Sequence, residues 1–186
     1  LFILFGAFLT VSGASQFFNE LALAIAGRRR GGPAQVAVIS SALTGSLSGS
    51  AVANVATTGS FTIPLMKKIG LTPRFAGAVE ATASTGGMIM PPIMGAAAFI
   101  MAGFLGISYT TIILAAIIPS ILYYASLIIA IDIEAKKQGL KGLSKESIPD
   151  VKRVILERGI LVLLIIIVAP DLILALPRWI MPNFIQ

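Results

Sequence analysis

The chain of 186 residues contains no cysteine and no histidine, and only 12% of it is charged. Without cysteine there are no disulfides and no thiol nucleophile. Without histidine there is no imidazole base or proton relay, and zinc sites of the usual Cys/His type lose both ligands. A serine protease of the membrane would want a histidine base, and an aspartyl one needs two intramembrane aspartates, whereas Asp132 and Asp171 fall at the ends of apolar runs. Chemistry on a covalent bond therefore has few candidate residues, and the chain is not read as an enzyme. Alternation with period 2 is also missing, which argues against an outer-membrane barrel.

Apolar residues are abundant: 56% of the chain is hydrophobic and the mean hydropathy is +0.95. Such a composition belongs in a lipid bilayer, and apolar stretches separated by basic clusters predict an all-α, polytopic protein of the cytoplasmic membrane. The net charge of +6 comes from residues between apolar runs, namely Arg28 to Arg30, Lys67 and Lys68, and the segment 132–153. Positive-inside topology explains that distribution, and no nucleic-acid partner is expected.

In chain order, the sequence reads as a single membrane domain. Leu1 to Val11 lies in an apolar run without the basic start or small-residue cleavage site of a signal peptide, so it is expected to be the end of a span in a fragment of a longer protein. Phe17 to Gly27 is either a short interfacial helix or a continuation of that span, which closes the first segment, 1–30. Segment 34–66 has arms from Ala34 to Leu43 and from Ala51 to Met66. If both flanking basic clusters are cytoplasmic, this segment enters and leaves on one side. A ten-residue arm spans only about 15 Å, half the roughly 30 Å hydrocarbon core, which predicts a re-entrant helical hairpin. Two full spans joined by a tight polar turn are the alternative. Segment 75–105 is too long for one simple crossing and carries Gly86, Gly87, Pro91 and Pro92 at its middle, so it is predicted to be a broken transmembrane helix. A span over 107–131 with a kink at Pro119, a cytoplasmic loop over 132–153, a span over 154–170 and a truncated end over 171–186 complete the reading.

Gly45 to Ser60, GSLSGSAVANVATTGS, is rich in Gly, Ser, Thr and Asn between apolar arms. Irregular polar backbone at membrane depth is tolerated only where protein buries it or it lines a cavity. Together with the Gly/Pro break, it supplies helix N-termini for an anion, and carbonyl and side-chain oxygens for a cation such as sodium. Close helix packing is the competing account, since Gly45 and Gly49 form a GxxxG. Glu80 is the only acidic residue of the broken span. It is either a functional intramembrane carboxyl, with a proton as its ligand, or a residue that reaches the interface.

SGSAVANVATTGSFTIPLMKKIG at 48–70, AGRRRGGPAQVAV before it and AGAVEATASTGGMIMPPIMGAAAFIMA at 76–102 resemble the large membrane subunit of TRAP transporters, most closely the TAXI branch, in which large and small membrane subunits are often fused. The resemblance covers roughly residues 1 to 160 and departs from about Leu161 onward. It implies an importer that uses an ion gradient, not ATP, and receives its solute, an organic anion such as a dicarboxylate or an amino acid, from an extracytoplasmic solute-binding protein. It further implies a small membrane subunit and an elevator fold of two inverted repeats, of which this chain matches one. By correspondence of motifs, the hairpin-tip positions are Ser48, Gly49, Ser50 and Asn54, and the broken-helix positions are Thr85, Gly86, Gly87 and Pro91. Sodium is the coupling ion of the better-known branches, Glu80 keeps proton coupling open, and no cofactor is implied. A non-transporting membrane scaffold, with the small residues serving helix packing, is the functional alternative.

Overall fold

The computed structural model describes residues 13–140, 142–144, 148–156 and 159, and all regular structure among them is helical. The helices are α1 (Ala14–Ala26), α2 (Gly32–Ser48), α3 (Ala51–Lys68), α4 (Pro73–Gly86), α5 (Ala96–Leu105) and α6 (Tyr109–Lys137). Residues 151–156 add a further short helical stretch. The expected first span end at Leu1 to Val11 and the end at 171–186 lie outside the described residues, as does most of the span at 154–170.

Local chemistry sets the boundaries. Pro33 and Pro73 sit in the first turns of α2 and α4, where a missing N–H costs nothing. Ser50, Thr72 and Ser108 accept backbone N–H groups of the first turns of α3, α4 and α6. Lys67 and Lys68 end α3, and Lys136 and Lys137 end α6, at the negative pole of each helix.

The centre of the structure is α2, which buries 13 of its 17 residues and packs against α1, α3, α4 and α6. With α3 it forms an antiparallel hairpin: Ser41 and Thr58, equally far from the tip, meet at 3.2 Å. The tip itself is only Gly49 and Ser50. The hydroxyl-rich stretch expected to be irregular is otherwise helical, because its side chains bond within their own helices. The hydroxyls of Thr57, Thr58 and Thr62 lie 2.8 to 3.0 Å from the carbonyls of Ala53, Asn54 and Thr58, within reach of their own helix. This corrects the ten-residue first arm. Arms of 17 and 18 residues are about 26 and 27 Å long, close to the hydrocarbon thickness, so arm length no longer argues for a half-depth hairpin.

Two further boundaries shift. Asn19 of α1 is buried and accepts a hydrogen bond from Ser40, so α1 is packed onto the hairpin through Ala22, Leu23, Ala26 and Val36. The segment expected as a loop from Asp132 begins later, because α6 continues as helix to Lys137. That loop then returns beneath the α1–α2 turn, where Leu143 N donates to Gly27 O at 2.9 Å, and Gly70 lies against Leu140. The basic regions around Arg28, Lys67 and Lys136 consequently gather at one end of the hairpin.

The expected helix break is present: α4 stops at Gly86, residues 87–95 form an irregular connection with a cis Pro91–Pro92 bond, and α5 restarts at Ala96. Among the described residues α6 is the one helix long and apolar enough to cross a membrane, and it runs through Pro119 without interruption. Leu114, Ile118, Ile121 and Leu122 on α6 and Phe104 on α5 are exposed, forming an apolar surface suited to lipid or to a neighbouring membrane segment.

Candidate functional site at the hairpin tip and helix break

The tip and the break are in direct contact. Gly49 ends α2 in the left-handed region at φ +59°, and a Cβ there would stand 1.9 Å from the carbonyl oxygen of Met94. Ile93 N donates to Ser46 O at 3.1 Å, and Gly95 N donates to Met88 O at 2.8 Å, which closes the connection on itself. Tyr109, at the start of α6, donates its hydroxyl to the carbonyls of Ile93 and Pro92 and stacks on Phe99 with ring centroids 4.3 Å apart.

One turn below the tip, α2 and the end of α4 cross backbone to backbone. A Cβ on Gly45 would lie 2.5 Å from Gly87 Cα, and the Asn54 amide nitrogen stands beside both glycines. That nitrogen donates to Ser41 O at 2.9 Å. Gly86 makes room for two aromatic rings, since its Cβ would lie 2.5 Å from the Tyr123 ring and 2.9 Å from that of Tyr124.

Carbonyls at the end of α4, expected to be free for a cation, have donors. Tyr123 and Tyr124 hydroxyls reach Thr82 O and Ala83 O at 2.8 and 3.1 Å, and the N–H groups of Gly87, Met88 and Ile89 reach Ser84 O, Thr85 O and Gly86 O. Side-chain oxygens of the hairpin differ. Among the described residues, Thr44 Oγ1, Ser48 Oγ and Asn54 Oδ1 are buried without a hydrogen-bond partner. Thr44 and Ser48 are four residues apart on one face of α2, the face that also carries Ser41 and Gly45.

Beneath this level lies the Glu80 carboxyl, 1% exposed and fixed by hydroxyls from three helices. Ser41 of α2 and Ser84 of α4 donate to Oε1 at 3.3 Å, Thr58 of α3 donates to Oε1, and Thr62 to Oε2. Gly59 lets α3 approach, with its Cβ position 3.2 Å from Glu80 Cγ. The alternative in which Glu80 reaches the interface is therefore not the one adopted.

Ser48, Gly49, Asn54, Gly86 and Gly87 are thus buried together at the junction of tip and break. Ser50 is half-buried and occupied as the α3 cap, and Pro91 is half-buried within the connection. Thr85 is exposed and donates to Ala81 O at 2.8 Å, away from the others. Ser41, Thr44, Thr58, Thr62 and Ser84 were not singled out from the sequence. The signal was there: Asn54, Thr58 and Thr62 recur every four residues, as do Glu80 and Ser84.

Comparison with known proteins matches residues 1–177 to the family described as "Tripartite ATP-independent periplasmic transporter, DctM component", which extends past Leu161, where the resemblance was expected to end. A putative TRAP transporter large permease protein of Haemophilus influenzae is 35% identical over 151 residues, 80% of this chain and 35% of that protein. The C4-dicarboxylate TRAP transporter large permease protein DctM of Pseudomonas aeruginosa is 31% identical over 79% of this chain and 34% of its own length. The 2,3-diketo-L-gulonate TRAP transporter large permease protein of Escherichia coli is 28% identical over 81% and 35%. The chain spans about a third of the length of these curated relatives. It belongs to the DctM component family of tripartite ATP-independent periplasmic transporters, multi-pass proteins of the cytoplasmic membrane.

Proposed function

We propose that the chain forms one repeat of the membrane permease of an ion-gradient-driven importer, which takes an organic anion from an extracytoplasmic solute-binding protein and works with a small membrane subunit and a second, inverted repeat. Relatives named for a C4-dicarboxylate and for 2,3-diketo-L-gulonate support the anionic solute class. The TAXI arrangement, with the small subunit fused, is part of the same proposal.

The observation that carries it is the set of unpartnered oxygens on Thr44, Ser48 and Asn54 beside the helix break. Buried polar atoms are almost always hydrogen-bonded, so three orphans on the two arms next to the tip support a ligand there; a fourth, Ser15 Oγ, lies on α1 outside the hairpin. Neutral hydroxyl and amide oxygens bind a hard monovalent cation without trapping it, which suits sodium released on every cycle. A scaffold held by small-residue packing explains Gly45, Gly49 and Gly87 but gives no reason to bury oxygens without partners.

Sodium dependence of solute uptake by the complete transporter in proteoliposomes tests the reading. Asn54→Ala and Ser48→Ala are expected to raise the sodium concentration for half-maximal uptake several-fold, with assembly unchanged. Unaltered sodium dependence in both variants would remove these side chains from the site.

A further inference from the structure

The charge environment of Glu80 is as informative as its burial. Among the described residues, every hydrogen-bond partner of its carboxyl is an uncharged hydroxyl. No titratable side chain occurs on α2. Lys67 and Lys68 of α3 and Arg74 of α4 are exposed near helix ends, and Tyr123 and Tyr124 of α6 are directed at Thr82 O and Ala83 O. Asp132, Glu134, Lys136 and Lys137 lie in the last two turns of α6.

Counting hydrogens shows what this arrangement can do. Each threonine hydroxyl has one hydrogen but two acceptors within reach. Thr58 Oγ1 faces Glu80 Oε1 and the Asn54 carbonyl, the latter at 2.8 Å; Thr62 Oγ1 faces Glu80 Oε2 and the Thr58 carbonyl, the latter at 3.0 Å. With the carboxylate ionised, both threonines donate to it. With a proton on Oε2, the carboxyl donates to Thr62 Oγ1, whose own hydrogen turns to the Thr58 carbonyl. Apart from the proton itself, only hydroxyl rotation separates the two states, so the carboxyl keeps hydrogen-bond partners in both.

We propose that Glu80, with Ser41, Thr58, Thr62 and Ser84, is a reversible proton-binding site, separate from the cation site at the tip. Ser41 touches both, since its hydroxyl donates to Glu80 and its carbonyl accepts from Asn54. Use of the bound proton as a coupling ion rests on the transporter reading above; proton binding itself does not.

Acid-minus-base infrared difference spectra of the complete permease in liposomes, without solute, provide the test. Acidification is expected to produce a carboxylic-acid carbonyl band that is absent from Glu80→Gln and shifted in frequency in Thr62→Val, which loses the hydroxyl partner. Identical spectra for the parent protein and Glu80→Gln overturn the proposal. Should Glu80→Gln fail to fold, unshifted bands in both Thr62→Val and Ser84→Ala overturn it equally. A Glu80-dependent band in a protein that shows no ion-driven uptake supports the proton site and counts against the transporter reading alone.

Discussion

Gly45 and Gly87 meet with no side chain between them: a Cβ built on either lies 2.5 to 2.7 Å from the Cα of the other. The contact joins the hairpin to the end of the broken helix, and the Asn54 amide is wedged beside it. Gly45→Ala is expected to destabilise the complete permease by about 1–3 kcal/mol through overpacking. Gly77→Ala, at a helical position with nothing within 4 Å, is expected to be neutral or stabilising by up to about 1 kcal/mol. Thermal unfolding in detergent distinguishes the two, and equal effects would refute the backbone crossing.

Gly49 and Gly106 both hold left-handed backbone, at φ +59° and +63°, but only Gly49 is crowded. Gly106→Ala is expected to cost about 1–2 kcal/mol for the conformation alone. Gly49→Ala adds a collision with the Met94 carbonyl and is expected to lower the yield of folded protein markedly. Comparable folded yields for the pair, read by size-exclusion chromatography, would argue against docking of the tip on residues 93–95.

Ser50 and Asn54 have different tasks. Ser50 accepts Ala53 N–H as the α3 cap, so Ser50→Ala is expected to lower stability by about 1 kcal/mol while leaving sodium dependence of uptake unchanged. Asn54→Ala is expected to alter sodium dependence, and a Ser50→Ala effect of the same size would bring the cap residue into the cation site.

The basic turn at Arg28 to Arg30 and the basic end of α3 lie at one end of the hairpin, which predicts that both face the cytoplasm. In a cysteine-free form of the complete permease, Arg29→Cys and Lys67→Cys are expected to react with an impermeant thiol reagent from the same, cytoplasmic side. Labelling from opposite sides would mean an odd number of crossings between Arg29 and Lys67 and would overturn the hairpin.

The sequence by itself determined the class of this protein and much of its punctuation. Apolar content without cysteine or histidine requires a bilayer and excludes most covalent chemistry; Pro33, Pro73, Gly49 and the Gly86 to Pro92 break mark helix ends through local backbone constraints that act in any context. What it did not determine was how far the hydroxyl-rich segment stays helical, because a threonine hydroxyl can satisfy itself on its own helix or disrupt it, and neighbouring helices decide which. Only the tertiary structure decided that Thr58, Thr62, Ser41 and Ser84 surround Glu80 while Thr85 faces outward, that tyrosines of α6 occupy carbonyls at the end of α4, and that the oxygens of Thr44, Ser48 and Asn54 are left unpaired. Helical spacing says which residues share a face; whether another helix covers that face, and with what, is set by contacts between residues as far apart as Ser41 and Glu80.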